Sequence, residues 1–185
     1  MFNKQEYSDI TVKIHGTKLY AHRFVICVQS RYFAKAFQDK TFKEGNTGEI
    51  SFDQDSPLAH WGVFEYLYTG DYSDNLNVEG LQDDPALLKD PRVYYLAEKF
   101  FLEGLKELAL SKLKDRLKKG WQSKIFPVCV EEIYAITSSS SSMRVAVAKI
   151  AAEHGKDLQE EETFLDLLHG GGEFVVDFYK ALRIW

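Results

Sequence analysis

Residues 9–14 read Asp-Ile-Thr-Val-Lys-Ile, with Ile10, Val12 and Ile14 at every second position. That alternation specifies a strand with one buried face. His15-Gly16-Thr17-Lys18 supplies a turn, and Leu19-Tyr20-Ala21 begins a returning strand. A third alternating stretch, Glu49-Ile50-Ser51-Phe52-Asp53, follows only after the period has changed. In between, Phe24, Val25, Ile26, Cys27 and Val28 are apolar nearly all round, which predicts a short helix buried in a core. Tyr32, Phe33, Ala36 and Phe37 continue at helical spacing, and the polar residues 39–48, with two glycines, read as a loop.

Beyond the third strand the helical period takes over. Asp55-Ser56-Pro57 is a helix start with a cap candidate before a first-turn proline. Leu58, Trp61, Phe64, Leu67 and Tyr68 follow at intervals of three and four, and Gly70 ends the helix. Residues 71–91 are mostly polar, with Leu76, Leu81, Leu87 and Leu88 as sparse anchors, and read as a surface insertion. Two helices follow, one marked by Val93, Leu96, Ala97, Phe100 and Phe101, the other by Leu105, Leu108, Ala109, Leu113 and Leu117. From Gly120 and Trp121 onward every segment is helical: Val130–Thr137, Met143–His154, one from Glu161, and a last one bearing Phe174, Val175, Phe178, Tyr179 and Leu182. Strands interleaved with helices, then helices alone, make an α+β domain over 8–119 and an all-helical extension over 121–185.

A chain of 185 residues suits one domain with such an annex, and 45% hydrophobic with 28% charged residues excludes disordered, collagenous and coiled-coil chains. The net charge of −5 argues against nucleic acid held by bulk charge and fits protein partners. Cys27 and Cys129 stand far apart among apolar neighbours, and no Asn-x-Ser/Thr site is present. An intracellular chain, nuclear or cytoplasmic, is expected. No apolar run reaches the roughly 18 residues of a membrane span, and the first residues lack an apolar signal core.

A search for chemistry finds no catalytic, cofactor or metal motif. Cys-x-x-Cys, His-Glu-x-x-His and phosphate-loop patterns are absent, and the five histidines are scattered. Gly170-Gly171-Gly172 lacks a following Lys-Ser/Thr and reads as a hinge; Ser138–Ser142 reads as a linker. Lys112, Arg116 and Lys119 share a helix face that suits phosphates, yet cations at a helix C-terminus also favour its dipole, the simpler account. Glu160-Glu161-Glu162 suits a helix N-terminus.

Ser8-Asp9-Ile10-Thr11-Val12, Tyr20-Ala21-His22-Arg23, Ser30-Arg31-Tyr32-Phe33, Phe42-Lys43-Glu44 and Tyr66-Leu67-Tyr68-Thr69-Gly70-Asp71-Tyr72, in this order, resemble BTB/POZ domains. The variety is similar to that of many fungal proteins, and the resemblance covers about residues 8–117. It implies a small three-stranded sheet flanked by a helical cluster, and a non-enzymatic module for protein contact. It further implies that Asp9 and Arg23 come together as a structural charged pair; a buried carboxylate needs such a partner. His22, at the strand-to-helix corner, reads as a structural hydrogen-bonding residue. The Tyr66–Tyr68 run reads as core plus helix cap. In cullin adaptors a hydrophobic-x-Glu triplet in this loop touches the scaffold, so Phe42, Lys43 and Glu44 are the candidate protein-binding residues. An exposed aromatic would anchor in a partner pocket with Glu44 at its polar rim. The alternative has Phe42 folded back on the domain and Glu44 solvated.

The resemblance thus implies an adaptor docking onto a cullin-type ubiquitin ligase, or alternatively an oligomerisation scaffold in transcriptional or chromatin regulation. Only seven residues precede Ser8, whereas dimeric members carry a longer, exchanged N-terminal element. A homodimer stays open, but the intertwined form, which needs that element, is not expected.

Overall fold

The computed structural model describes residues 2–38, 42–74, 78–82 and 84–183; part of the expected 39–48 loop and the anchor Leu76 lie outside them. By internal packing the chain forms two compact units, Met1–Asp84 with Arg92–Leu108, and Pro85–Pro91 with Ala109–Trp185. That division runs through two helices, whereas the sequence places a boundary at Gly120.

The first unit is built on a sheet of order β2-β1-β3, from β1 (Ile10–Ile14), β2 (Thr17–Ala21) and β3 (Glu49–Phe52). β1 and β2 form an antiparallel hairpin with Ile10 opposite Ala21 and Ile14 opposite Thr17. The turn needs only His15 and Gly16, at φ 46° and 82°, so Thr17 and Lys18 belong to the strand. Two left-handed residues in succession suit the twist of a two-residue hairpin. β3 runs parallel to β1, Val12 opposite Ile50, and a parallel neighbour requires a crossover. Helices α1 (Arg23–Gln29), α2 (Arg31–Gln38) and α3 (Lys43–Thr47) supply it. The expected loop therefore contains a helical turn. The expected burial of the first helix is also corrected: in α1 only Ile26 is buried, while Phe24 is 82% and Val28 68% exposed.

α4 (Pro57–Thr69) starts where Ser56 Oγ accepts the Ala59 N–H at 3.0 Å and ends at Gly70, whose φ of 79° suits a residue without Cβ. Next come α5 (Ala86–Lys99) and α6 (Glu103–Gly120). Residues 71–91 are less of a surface insertion than their polarity suggests: Tyr72, Leu87, Leu88, Lys89 and Asp90 are buried, and α5 begins at Ala86. In the first unit Phe33, Phe52, Phe64 and Phe100 form one ring cluster, with centroids 4.9 Å apart for Phe33–Phe100 and 5.6 Å for Phe52–Phe100. Phe33, Phe64 and Phe100 are fully buried, and burying each contributes roughly 2–3 kcal/mol.

Phe101, expected within the fifth helix, lies beyond it at φ 58° and is 61% exposed. Its N–H reaches Glu98 O, and the Leu102 N–H returns to Ala97 O at 2.8 Å, which closes the helix end. The left-handed position favours glycine, and the ring gains little from packing. Phe101→Gly is therefore expected to raise stability by about 0.5–1 kcal/mol in urea unfolding. A loss of that size would show that the ring packs in solution.

The second unit packs the later part of α6 with α7 (Phe126–Ile136), α8 (Ser142–Glu153), α9 (Gly155–Leu158), α10 (Glu162–His169) and α11 (Glu173–Leu182). Phe126, Phe164, Phe174 and Phe178 form its ring core, Phe164 lying 5.8 Å from Phe178 and 6.2 Å from Phe174. The serine run is more than a linker, because Ser141 is buried and its Oγ caps α8 through the Met143 N–H at 3.3 Å. In the same unit α5 continues through Pro91, where sequence rules place a break. Proline has no N–H for the carbonyl four residues earlier, that of Leu87. The buried Cys129 thiol donates to that carbonyl at 3.2 Å instead.

Candidate protein-binding surface

Phe42 sits at the N-cap of α3 with extended backbone (φ −87°, ψ 148°) and a side chain 42% exposed. The five-residue helix behind it is held by short local bonds. Asn46 Nδ2 donates to Phe42 O at 3.2 Å, Thr47 Oγ1 to Lys43 O at 3.0 Å, and Gly48 N–H to Glu44 O at 2.9 Å. Gly48 adopts φ 66°, and a Cβ there would lie 3.2 Å from Asp9 O. Glycine is thus favoured by conformation, and a Cβ there would press on the Asp9 carbonyl. The triplet is presented on a pinned turn leading into β3, with Phe42 and Lys43 exposed and Glu44 half-buried.

Asp9 and Arg23 are brought together, but not as two side-chain charges. Asp9 Oδ1 accepts the Arg23 backbone N–H at 2.6 Å, and the guanidinium turns away to donate to Phe37 O at 2.9 Å and to cover the Phe37 ring at 5.5 Å. The expected buried ion pair is corrected accordingly. Asp9 is exposed and needs no countercharge; it satisfies an unpaired N–H at the start of α1, where His22 makes no side-chain cap. Arg23 in turn satisfies a carbonyl near the end of α2.

His22 is nearly buried. Tyr68 Oη accepts the His22 backbone N–H at 2.7 Å and is hydrogen-bonded to His22 Nδ1 at 2.8 Å. Burial pushes the Tyr68 phenol up, which keeps it a donor. The other ring nitrogen of His22 is buried without a partner. The residue works as a corner brace between β2 and α4.

A cleft of about 370 Å³ beside α3 is lined partly by Asp9, Thr11, Thr47 and Glu49. Its two carboxylates are committed, Asp9 to Arg23 and Glu49 to Lys13 Nζ at 2.7 Å. The hydrogen bond from Lys13, with its charge, holds the Glu49 carboxyl below the usual range, so it stays ionised and offers no proton near neutrality. Among the described residues no group of three or more His, Cys, Asp and Glu is placed to hold a metal ion, and no helix is long and apolar enough to cross a membrane. In the basic helix face, Arg116 Nε is engaged with the fully buried Asp90 carboxylate at 2.7 Å.

Residues 1–117 match the model of the BTB/POZ domain. The chain belongs to the BTB/POZ domain family. It is therefore a protein–protein interaction module, from a family of contact rather than catalysis. Over 167 residues it is 27% identical to Armadillo BTB Arabidopsis protein 1 of Arabidopsis thaliana, covering 88% of this chain and 20% of that protein. It is 23% identical over 166 residues to influenza virus NS1A-binding protein homolog B of Danio rerio, covering 88% and 23%. To Rabankyrin-5 of Mus musculus it is 25% identical over 169 residues, covering 88% and 12%. The BTB/POZ chain thus spans at most about a quarter of the length of these relatives.

Proposed function

We propose that this BTB/POZ chain is an adaptor that docks onto a cullin-type ubiquitin ligase scaffold inside the cell, with Phe42, Lys43 and Glu44 as its contact. Residues 8–119 form the docking module in this reading, and residues 121–185 are a helical extension that either recruits the substrate or leaves that to another protein. The observation that supports it is the presentation of Phe42: a half-exposed aromatic at the head of a turn pinned by Gly48, Asn46 and Thr47. A preorganised aromatic anchor loses little entropy on binding and is the kind of residue that concentrates interface energy. Calorimetry with a cullin N-terminal domain tests it. The unmodified chain is expected to bind, and Phe42→Ala to weaken binding by about 2 kcal/mol, some thirtyfold, with a smaller loss for Glu44→Ala at the rim. If the unmodified chain fails to bind, the adaptor reading is finished.

One observation favours the scaffold reading. Phe24 and Val28, four residues apart on one face of α1, are largely exposed, as a self-associating surface would be. Light scattering at tens of micromolar decides: a strict monomer counts against it.

A further inference from the structure

The first described residues fold back on the module instead of leading away from it. Phe2 lies edge-on to Trp61, centroids 5.6 Å apart, and 5.5 Å from the Tyr68 ring. Next to it, Asn3 Oδ1 accepts the N–H of Tyr20 at 3.1 Å. Tyr20 is in β2, an edge strand of the sheet, and an outward N–H on an edge strand is a place where another chain can add. Lys4, Gln5, Glu6 and Tyr7, by contrast, are exposed, and Tyr7 is 83% accessible. The segment is clamped at Phe2 and Asn3 and tethered by a turn in which Ser8 donates, through both N–H and Oγ, to Gln5 O. Asn3 and Tyr7 both adopt left-handed backbone, at φ 50° and 60°. For tyrosine that conformation is costly, so the return path stores strain that letting go would release.

An aromatic notch beside an edge-strand N–H, filled by an aromatic residue and an amide oxygen in sequence, describes its own ligand. We propose that the Trp61–Tyr68 notch and the outer edge of β2 form a peptide-docking site that this chain occupies in cis with Phe2 and Asn3. A segment of a protein partner, led by an aromatic residue followed by an asparagine, takes the site when the N-terminal arm is released. The aromatic supplies buried area with edge-to-face geometry, and the amide oxygen satisfies the Tyr20 N–H. The site is independent of Phe42 and of whether the partner there is a cullin.

The test uses a fluorescent heptapeptide of residues 1–7, Met-Phe-Asn-Lys-Gln-Glu-Tyr. Its anisotropy is titrated with the intact chain, with the chain lacking residues 1–6, and with the Phe2→Ala/Asn3→Ala variant. The truncated and doubly substituted chains are expected to bind the peptide at least roughly tenfold more tightly than the intact chain, whose site is filled. A peptide with alanine in place of its phenylalanine is expected to lose that binding. Absence of binding to either variant, with circular dichroism showing it folded, overturns the proposal. Unfolding of both variants overturns it too, because a site covered by a detachable arm must stand without the arm.

Discussion

Replacing Arg144 by methionine is expected to lower stability by about 3–5 kcal/mol, with a fall in Tm of roughly 10 °C. Arg144 is 5% exposed, and its guanidinium closes the C-terminal end of α7. Nη2 donates to Tyr134 O at 2.8 Å and to Thr137 O, Nε donates to Thr137 Oγ1 at 3.2 Å, and Nη1 pairs with Glu173 on α11. The same group lies 4.6 Å over the Tyr134 ring. That tyrosine's hydroxyl donates to Asp177 at 3.0 Å, and burial, ahead of the Asp177 bond, drives its pKa upward. One planar cation therefore satisfies two carbonyls that methionine would leave unpaired, and it gives the Thr137 hydroxyl, which itself donates to Ile133 O, a second partner. Arg144→Lys is expected to recover less than half of the loss, since an ammonium is a point donor and cannot span the fork. Urea unfolding of the three proteins checks the order; a methionine variant within 1 kcal/mol of the parent contradicts the account.

Acid will weaken the fold through His60, by about 3 kcal/mol between neutral pH and pH 4. His60 is fully buried in the first turn of α4, stacked on Phe52 at 4.5 Å, with Nδ1–H donated to Ser56 O at 2.9 Å and Nε2 facing no partner. Burial pushes its pKa down from 6.5 to about 4, the Ser56 bond and Asp55 opposing, Lys99 and His15 adding to the depression. Above about pH 6.5 the ring is neutral in both folded and unfolded chains, and its contribution is intact. As pH falls from there the unfolded chain takes up the proton first, and stability declines until the folded ring also titrates near pH 4. His60→Gln keeps a donor for Ser56 O and should flatten the slope of urea midpoints between pH 6.5 and 4.5. An unchanged slope would assign the acid sensitivity to carboxylates instead.

Neither residue stands out in the sequence. Arg144 lies among small apolar residues, and His60 is one of five scattered histidines, beside Trp61. Their roles depend on what distant segments bring to them, and periodicity carries no information about that. The first strand, by contrast, was legible from Ile10, Val12 and Ile14 alone, because one residue of slip would turn the buried face outward. Ser56, Pro57 and Gly70 were legible because helix ends make local chemical demands. The α1 segment misled for a physical reason: an apolar side chain kept for a core and one kept on a surface look identical in sequence, and Phe24 and Val28 are of the second kind. Phe42, Lys43 and Glu44 are candidates through family likeness alone, whereas the turn that presents them emerged only with Gly48 and Asn46 in place. Asp9 and Arg23 were read as a charged pair, whereas their bond runs through the Arg23 backbone N–H.

The thiol that compensates for Pro91 has a practical corollary. Cys129 is wholly buried and its pKa is driven up to about 12, chiefly by burial, so at neutral pH it offers almost no thiolate to an electrophile. Cys27, half-buried on the same short helix as Phe24 and Val28, is the cysteine that a maleimide dye or nitroxide meets first. The wild-type chain thus carries one accessible attachment point for a spectroscopic reporter, on the same helix as the exposed Phe24 and Val28.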